Sequence, residues 1–148
     1  MKLFLLLSIL SWVNPELSNL RSLYIQSPSD ESKANLLLSK IEKIKSVDKV
    51  YVGYEGAVKI VLAKFAVNPI KKWNLFTEGK SILEGAINSA PKNSELRYLR
   101  LTIQTNVPKF LGYSSQIKED KNFLEKNVEV IKDVELQTMI RSYLNEKV

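Results

Sequence analysis

The sequence predicts an all-α fold: antiparallel helix pairs, six or seven helices in all, stacked as a short solenoid. Three observations lead there. Apolar residues recur at helical spacing in one segment after another. The breaks between segments carry helix-end chemistry, with Pro, Asn, Asp and Ser at the junctions. Strand-type alternation is confined to a short Val128–Val130 patch, and an isolated strand there has nothing to pair with. The 148 residues suit one domain, which buries about 65–70% of its unfolded surface on folding. Apolar residues at 45% and charged residues at 26% are ordinary globular proportions.

The amino terminus reads as a targeting segment. Lys2 is followed by an uncharged, mostly apolar run, Leu3–Val13. A membrane-spanning helix needs about 20 such residues, so this run is too short to cross. Its length and flanks fit a secretory signal peptide, residues 1–18, ahead of a helical domain over 19–148. Ser11 and Ser18 are the small residues near a cleavage point, and Asn14-Pro15 breaks the helix between them. A buried amino-terminal helix and an uncleaved anchor lying at the membrane surface are the alternatives. The expected location is outside the inner membrane, in the periplasm.

The helices follow in order. Pro15 opens a segment with Leu17, Leu20, Leu23 and Tyr24 on one face. Ser27, Pro28 and Asp30 predict the next start: a hydroxyl cap, proline at the first position, an acid in the first turn. That helix carries Ala34, Leu37, Leu38, Ile41 and Ile44 and stops by Val47-Asp48. A third, Lys49 to Ala66, has Tyr51, Tyr54, Ala57, Val58, Val61 and Phe65 on one side. Asn68 caps a fourth that begins at Pro69 and runs to Ser89. Asn93 or Ser94 caps a fifth, with Leu96, Leu99 and Ile103 in register. Pro108 ends it by pushing Val107 out of helical geometry. Ser115 starts a sixth, and Asp133 to Glu146 forms the last.

Gly79, Leu83, Ala86 and Pro91 have the spacing of the second helix of a tetratricopeptide repeat. The small residues let two helices approach, the leucine fills the groove, and the proline ends the helix. Tyr51–Phe65 stands as the preceding first helix, and Asn93-Ser94-Glu95-Leu96 begins the next. Over about residues 49–105 the chain resembles a tetratricopeptide-like helical repeat, which implies a short α-solenoid. The string from Leu99 to Tyr113 is also similar to one found in a small group of uncharacterised exported bacterial proteins. That likeness implies a compartment and no activity.

Composition removes whole classes of chemistry. With no cysteine there is no disulfide, thiol nucleophile or lipid-attachment thiol. With no histidine the commonest general base and metal ligand are missing. The five glycines form no phosphate-cradling cluster, and the carboxylates form neither a calcium-type loop nor an evident acid–base pair. No reaction, cofactor or metal is expected. The net charge of +6 favours acidic surfaces generally and is not a nucleic-acid signature on its own; the export signal argues against that role, so no nucleic acid is expected.

Two features point to binding. Arg97, Arg100 and Gln104 lie at i, i+3 and i+7, a polar stripe that a superhelix places near Lys64 and the pair Lys71-Lys72. Arginine forks grip carboxylates bidentately, so the stripe serves a concave basic face; a solvated helix face paired with Glu84 or Glu95 is the plain alternative. The segment Asn106–Ser115 carries Val107, Phe110, Leu111 and Tyr113 around Pro108 and Gly112, where a helix is disfavoured. Such an apolar loop either plugs the core or presents a contact surface. The binding set is therefore Arg97, Arg100, Gln104, Lys71, Lys72, Phe110 and Tyr113. The expected function is a non-catalytic scaffold that holds a protein or peptide partner on the basic face. The alternative is a carrier for a small apolar or anionic ligand held between helices under the same loop.

Overall fold

The computed structural model describes residues 14–147. The run Leu3–Val13 lies outside them. Among the described residues there are seven α-helices, three short 3-10 turns and no strand. The helices are α1 (Pro15–Gln26), α2 (Glu31–Ile44), α3 (Lys49–Phe65), α4 (Pro69–Ser89), α5 (Ser94–Asn106), α6 (Ile117–Asn127) and α7 (Val134–Lys147). None of them is long and apolar enough to cross a membrane.

Helix α3 is the centre of the fold. Its residues from Tyr51 to Ala63 are buried on nearly every side, the pattern of a helix enclosed by others. Its tightest partner is α4, and glycine makes that contact. A Cβ on Gly56 would meet the Leu83 nitrogen at 2.5 Å and the Gly79 oxygen at 2.7 Å. A Cβ on Gly79 would meet the Gly56 oxygen at 2.5 Å. The two backbones touch, which no side chain would permit. On another face Gly53 accepts the Leu96 side chain of α5 where a methyl group would clash.

The helix ends follow local chemistry. Asn14 caps α1 by accepting from Glu16 and Leu17, Asn68 caps α4 from Ile70 and Lys71, and Asn93 caps α5 from Leu96. The start of α2 differs from expectation. Residues Ser27–Ser29 form a 3-10 turn, and the cap is Asp30, which accepts from the Ser32 and Lys33 amides. Ser27 does not cap, because its buried hydroxyl turns back to the Tyr24 carbonyl at 2.7 Å. The α6 start has no hydroxyl cap either; the Gln116 amide bonds the Gln104 side chain of α5 instead. Val128–Val130 is a 3-10 turn.

Residues 14–18, the end of the expected leader, are the capped first turn of α1. The Asn14 amide donates to the Tyr51 hydroxyl, which itself donates to Glu16; Ser18 donates to Glu135 of α7. A cut after Ser18 removes all of these contacts, whereas a cut after Ser11 leaves them.

The glycine contact is directly testable. Gly56→Ala is expected to lower stability by about 1–3 kcal/mol, because both partners at the contact are backbone. Gly85→Ala, in α4 with nothing within 4 Å, is expected to raise it by about 0.5–1 kcal/mol. Urea unfolding of the two variants checks both signs.

Candidate functional site

Two buried ionic clusters fasten the outer helices to α5. The first centres on Arg21 of α1, which is 3% exposed. Its Nε and Nη2 donate to the two oxygens of Glu95 at 2.8 Å, a bidentate fork. Nη1 donates to Glu135 at 2.7 Å and Nη2 to Asp133 at 2.8 Å. Tyr54 of α3 donates its hydroxyl to Glu95 at 2.7 Å. Burial alone disfavours the guanidinium charge, but the carboxylates around Arg21 more than offset it and hold it protonated. Burial pushes the Tyr54 hydroxyl well up, and the adjoining Glu95 charge adds to that. Tyr54 therefore stays a neutral donor.

The second cluster centres on Asp120 of α6, which is fully buried. Arg100 forks onto it at 2.7 and 2.8 Å, and Arg97 adds a third donor at 2.8 Å. The remaining Arg100 nitrogen donates to Glu84 of α4 at 2.9 Å. Tyr113 donates to the other Glu84 oxygen at 2.6 Å. Arg97 also donates to Glu119 and the Pro91 carbonyl, and its guanidinium lies over the Phe123 ring at 5.1 Å.

The expected open stripe on α5 is therefore not present. Arg100 and Gln104 are buried, and Arg97 is engaged on every side. Gln104 donates to the Gln116 side chain at 2.6 Å. Of the alternatives weighed for Arg100, the pairing with Glu84 is the one found, joined by Asp120. Tyr113 is buried rather than offered to a partner; it packs edge-on to Phe76 under Lys80. Lys71 and Lys72 are both exposed, but they part company: Lys72 faces a cleft, while Lys71 lines a shallow depression with Ile70 and Leu75. Phe110 does not plug the core, being 86% exposed. Tyr51, Tyr54, Phe76 and Tyr98 are core, whereas Trp73 stands 57% exposed.

Lys72, Trp73 and Phe110 meet at a cleft of about 1060 Å³. One wall is the end of α1 with Tyr24, Ile25 and Pro28, together with Ile60, Val61 and Lys64 of α3. The start of α4 supplies Pro69, Lys72, Trp73 and Phe76. The floor is α5, with Thr102 and Ile103, and the far wall is α7, with Met139 and Tyr143. Leu111 and Phe110 stand at the mouth. Most polar groups here are already used. Tyr24 and Thr102 share a hydrogen bond of 2.7 Å, and Tyr143 bonds Thr105 and Asn106.

Tyr98 is the exception. It is 4% exposed, lines the cleft, and packs edge-on to Tyr143 at 5.8 Å. Its hydroxyl has no hydrogen-bond partner among the described residues, yet no fully enclosed side-chain polar atom lacks one. That hydroxyl belongs to a side chain that lines the cleft. Burial holds it far up its range, so it remains a donor.

Comparison with protein-family models, with curated proteins and with solved structures finds no match to this chain. Among the described residues no group of His, Cys, Asp or Glu is arranged to hold a metal ion.

Sequence reasoning missed the clusters and the cleft. A signal for the clusters was present: Arg21 falls between Leu17 and Tyr24 on an apolar face, and Asp120 falls between Ile117 and Leu124. A charge at such a position is buried and must be paired.

Breaking a cluster should cost far more than losing a surface pair. Arg21→Met leaves Glu95 buried without a counter-charge and is expected to lose about 3–5 kcal/mol, while Arg21→Met with Glu95→Leu recovers much of it. Denaturant unfolding of the single and double variants checks this. Acid dependence follows from two carboxyls. For Asp133, burial raises the carboxyl and the Arg21 hydrogen bond more than reverses it; for Glu119, the Arg97 hydrogen bond lowers it. Both folded values lie below the unfolded ones of about 4, so the stabilisation is full above about pH 5. It is lost as pH falls through the lower folded values. Thermal melts between pH 7 and pH 2 should show this loss, and Arg21→Met should remove the Asp133 part of it.

Proposed function

We propose that this chain is a non-catalytic binding protein, and that its working part is the cleft between α1, α3, α4, α5 and α7, which holds the apolar body of a small ligand. The carrying observation is the cleft itself. At about 1060 Å³ it lies just above the range of about 300–1,000 Å³ usual for ligand sites. Its walls are apolar, with few convergent polar groups, which is the chemistry of such sites. Trp73, Phe110 and Ile25 stand exposed around it, and clustered exposed apolar side chains mark contact surfaces. This favours a carrier over a scaffold with a basic concave face, since Arg97, Arg100 and Gln104 are spent on α6 and α4.

The tight α3–α4 pair supports reading this part of the chain as a tetratricopeptide-like repeat within a short solenoid. The Lys2 and Leu3–Val13 run supports export to the periplasm. Mass spectrometry of the native mature protein should find an amino terminus after Ser11, the cut that spares the α1 cap. A retained Met1 speaks against export by cleavage.

A neutral solvatochromic dye such as Nile red is expected to bind one per chain. Trp73→Ala with Phe110→Ala should weaken that binding at least tenfold, given the apolar area removed. Val47→Ala with Val67→Ala, at least as exposed but not lining the cleft, should leave it unchanged. Equal binding by both double variants overturns the assignment.

A further inference from the structure

We infer that the occupant is a single-chain anionic amphiphile, with its acyl tail along the cleft and its acidic head at the corner where α3 gives way to α4. This rests on the cleft being the ligand site and adds the ligand's charge and polarity. Two lysines line the cleft at that corner, Lys64 near the end of α3 and Lys72 in the first turn of α4. Lys64 donates to the Pro28 carbonyl at 2.7 Å, an uncharged partner that leaves its charge uncompensated. Among the described residues no carboxylate pairs with Lys72. The α4 amino terminus adds its own positive end at the same place, and its first turn holds no acidic residue.

The rest of the cleft carries one carboxylate, Glu146 near the end of α7. The lining thus holds two cations against one carboxylate, and an anionic head is drawn to the lysine corner. The tail then lies across Ile103 toward Met139.

The test measures displacement of Nile red from the full chain by hexadecanoate, hexadecanol and hexadecyl-trimethylammonium, each below its micelle threshold. Hexadecanoate is expected to bind tightest. Across decanoate to hexadecanoate, affinity should rise up to about fourfold per added methylene, because each is withdrawn from water. Lys72→Glu should weaken hexadecanoate about three- to tenfold, leave hexadecanol unmoved, and lose its effect at high salt. Lys71→Glu, one residue away but outside the cleft, should do much less.

Equal affinity for acid and alcohol, with no response to Lys72→Glu, overturns the anionic assignment and leaves the apolar-ligand reading standing. Tightest binding of the cationic amphiphile overturns it outright. Failure of all three to displace a bound dye, while a peptide spanning Leu3–Val13 does so, gives the cleft to a peptide segment. Failure of the dye itself to bind removes the cleft reading beneath it.

Discussion

The Arg21–Glu95 ion pair is the contact on which the arrangement of the outer helices rests. Glu95 begins α5, and its carboxylate takes two nitrogens from α1 and a hydroxyl from α3. The same guanidinium then reaches Asp133 and Glu135 at the start of α7. The cluster thus fixes four helices at a single point. Buried ions are costly to desolvate, so the cluster contributes little net stability over a well-packed apolar alternative. What it supplies is position. An arginine fork accepts a carboxylate in one plane, and three carboxylates around it leave little rotational freedom.

A second cluster does the same on the other side of α5. Asp120, fully buried, ties α6 to Arg97 and Arg100, and Glu84 brings in α4 and Tyr113. Between these two anchors, α5 is held along its length while α7 is fastened mainly at its start and through Tyr143 to Thr105. The cleft opens where neither cluster reaches. Helix α7, anchored by charge at its start and packed through Leu136 and Ile140, supplies Met139 and Tyr143 to the cleft lining. Fold and candidate site are in this sense one arrangement.

Much of the helical layout was legible in the sequence. Pro69 behind Asn68 marks a capped start, Pro108 after Val107 marks a stop, and both fall where expected because their effects are local. On α4 the close approach was legible in Gly79; on α3 it falls on Gly56, which the repeat spacing did not single out. The α2 start was misjudged because the Ser27 hydroxyl can either accept from a helix amide or donate to a carbonyl, and burial against Tyr24 decided for the carbonyl. The arginine stripe was legible as a stripe but not as a pair of clamps. Helical periodicity places Arg97, Arg100 and Gln104 on related faces; it does not say that Asp120, twenty residues on from Arg100, folds beneath them. The cleft was the least legible, since its walls come from five helices and no segment of the chain carries it alone. Phe110 stood out as a large apolar side chain in a loop, but the sequence left open whether it plugged the core or faced outward.

The central claim is that the cationic side chains of α5 build the fold while the ligand enters the cleft. Hydrogen–deuterium exchange of the full chain, with and without saturating hexadecanoate, separates these roles residue by residue. The account predicts added protection at the end of α1, the start of α4, the Val107–Leu111 segment and the second half of α7. It predicts none at the α5–α6 contact around Arg97 and Asp120. Protection confined to that contact, with the cleft segments unchanged, would contradict it.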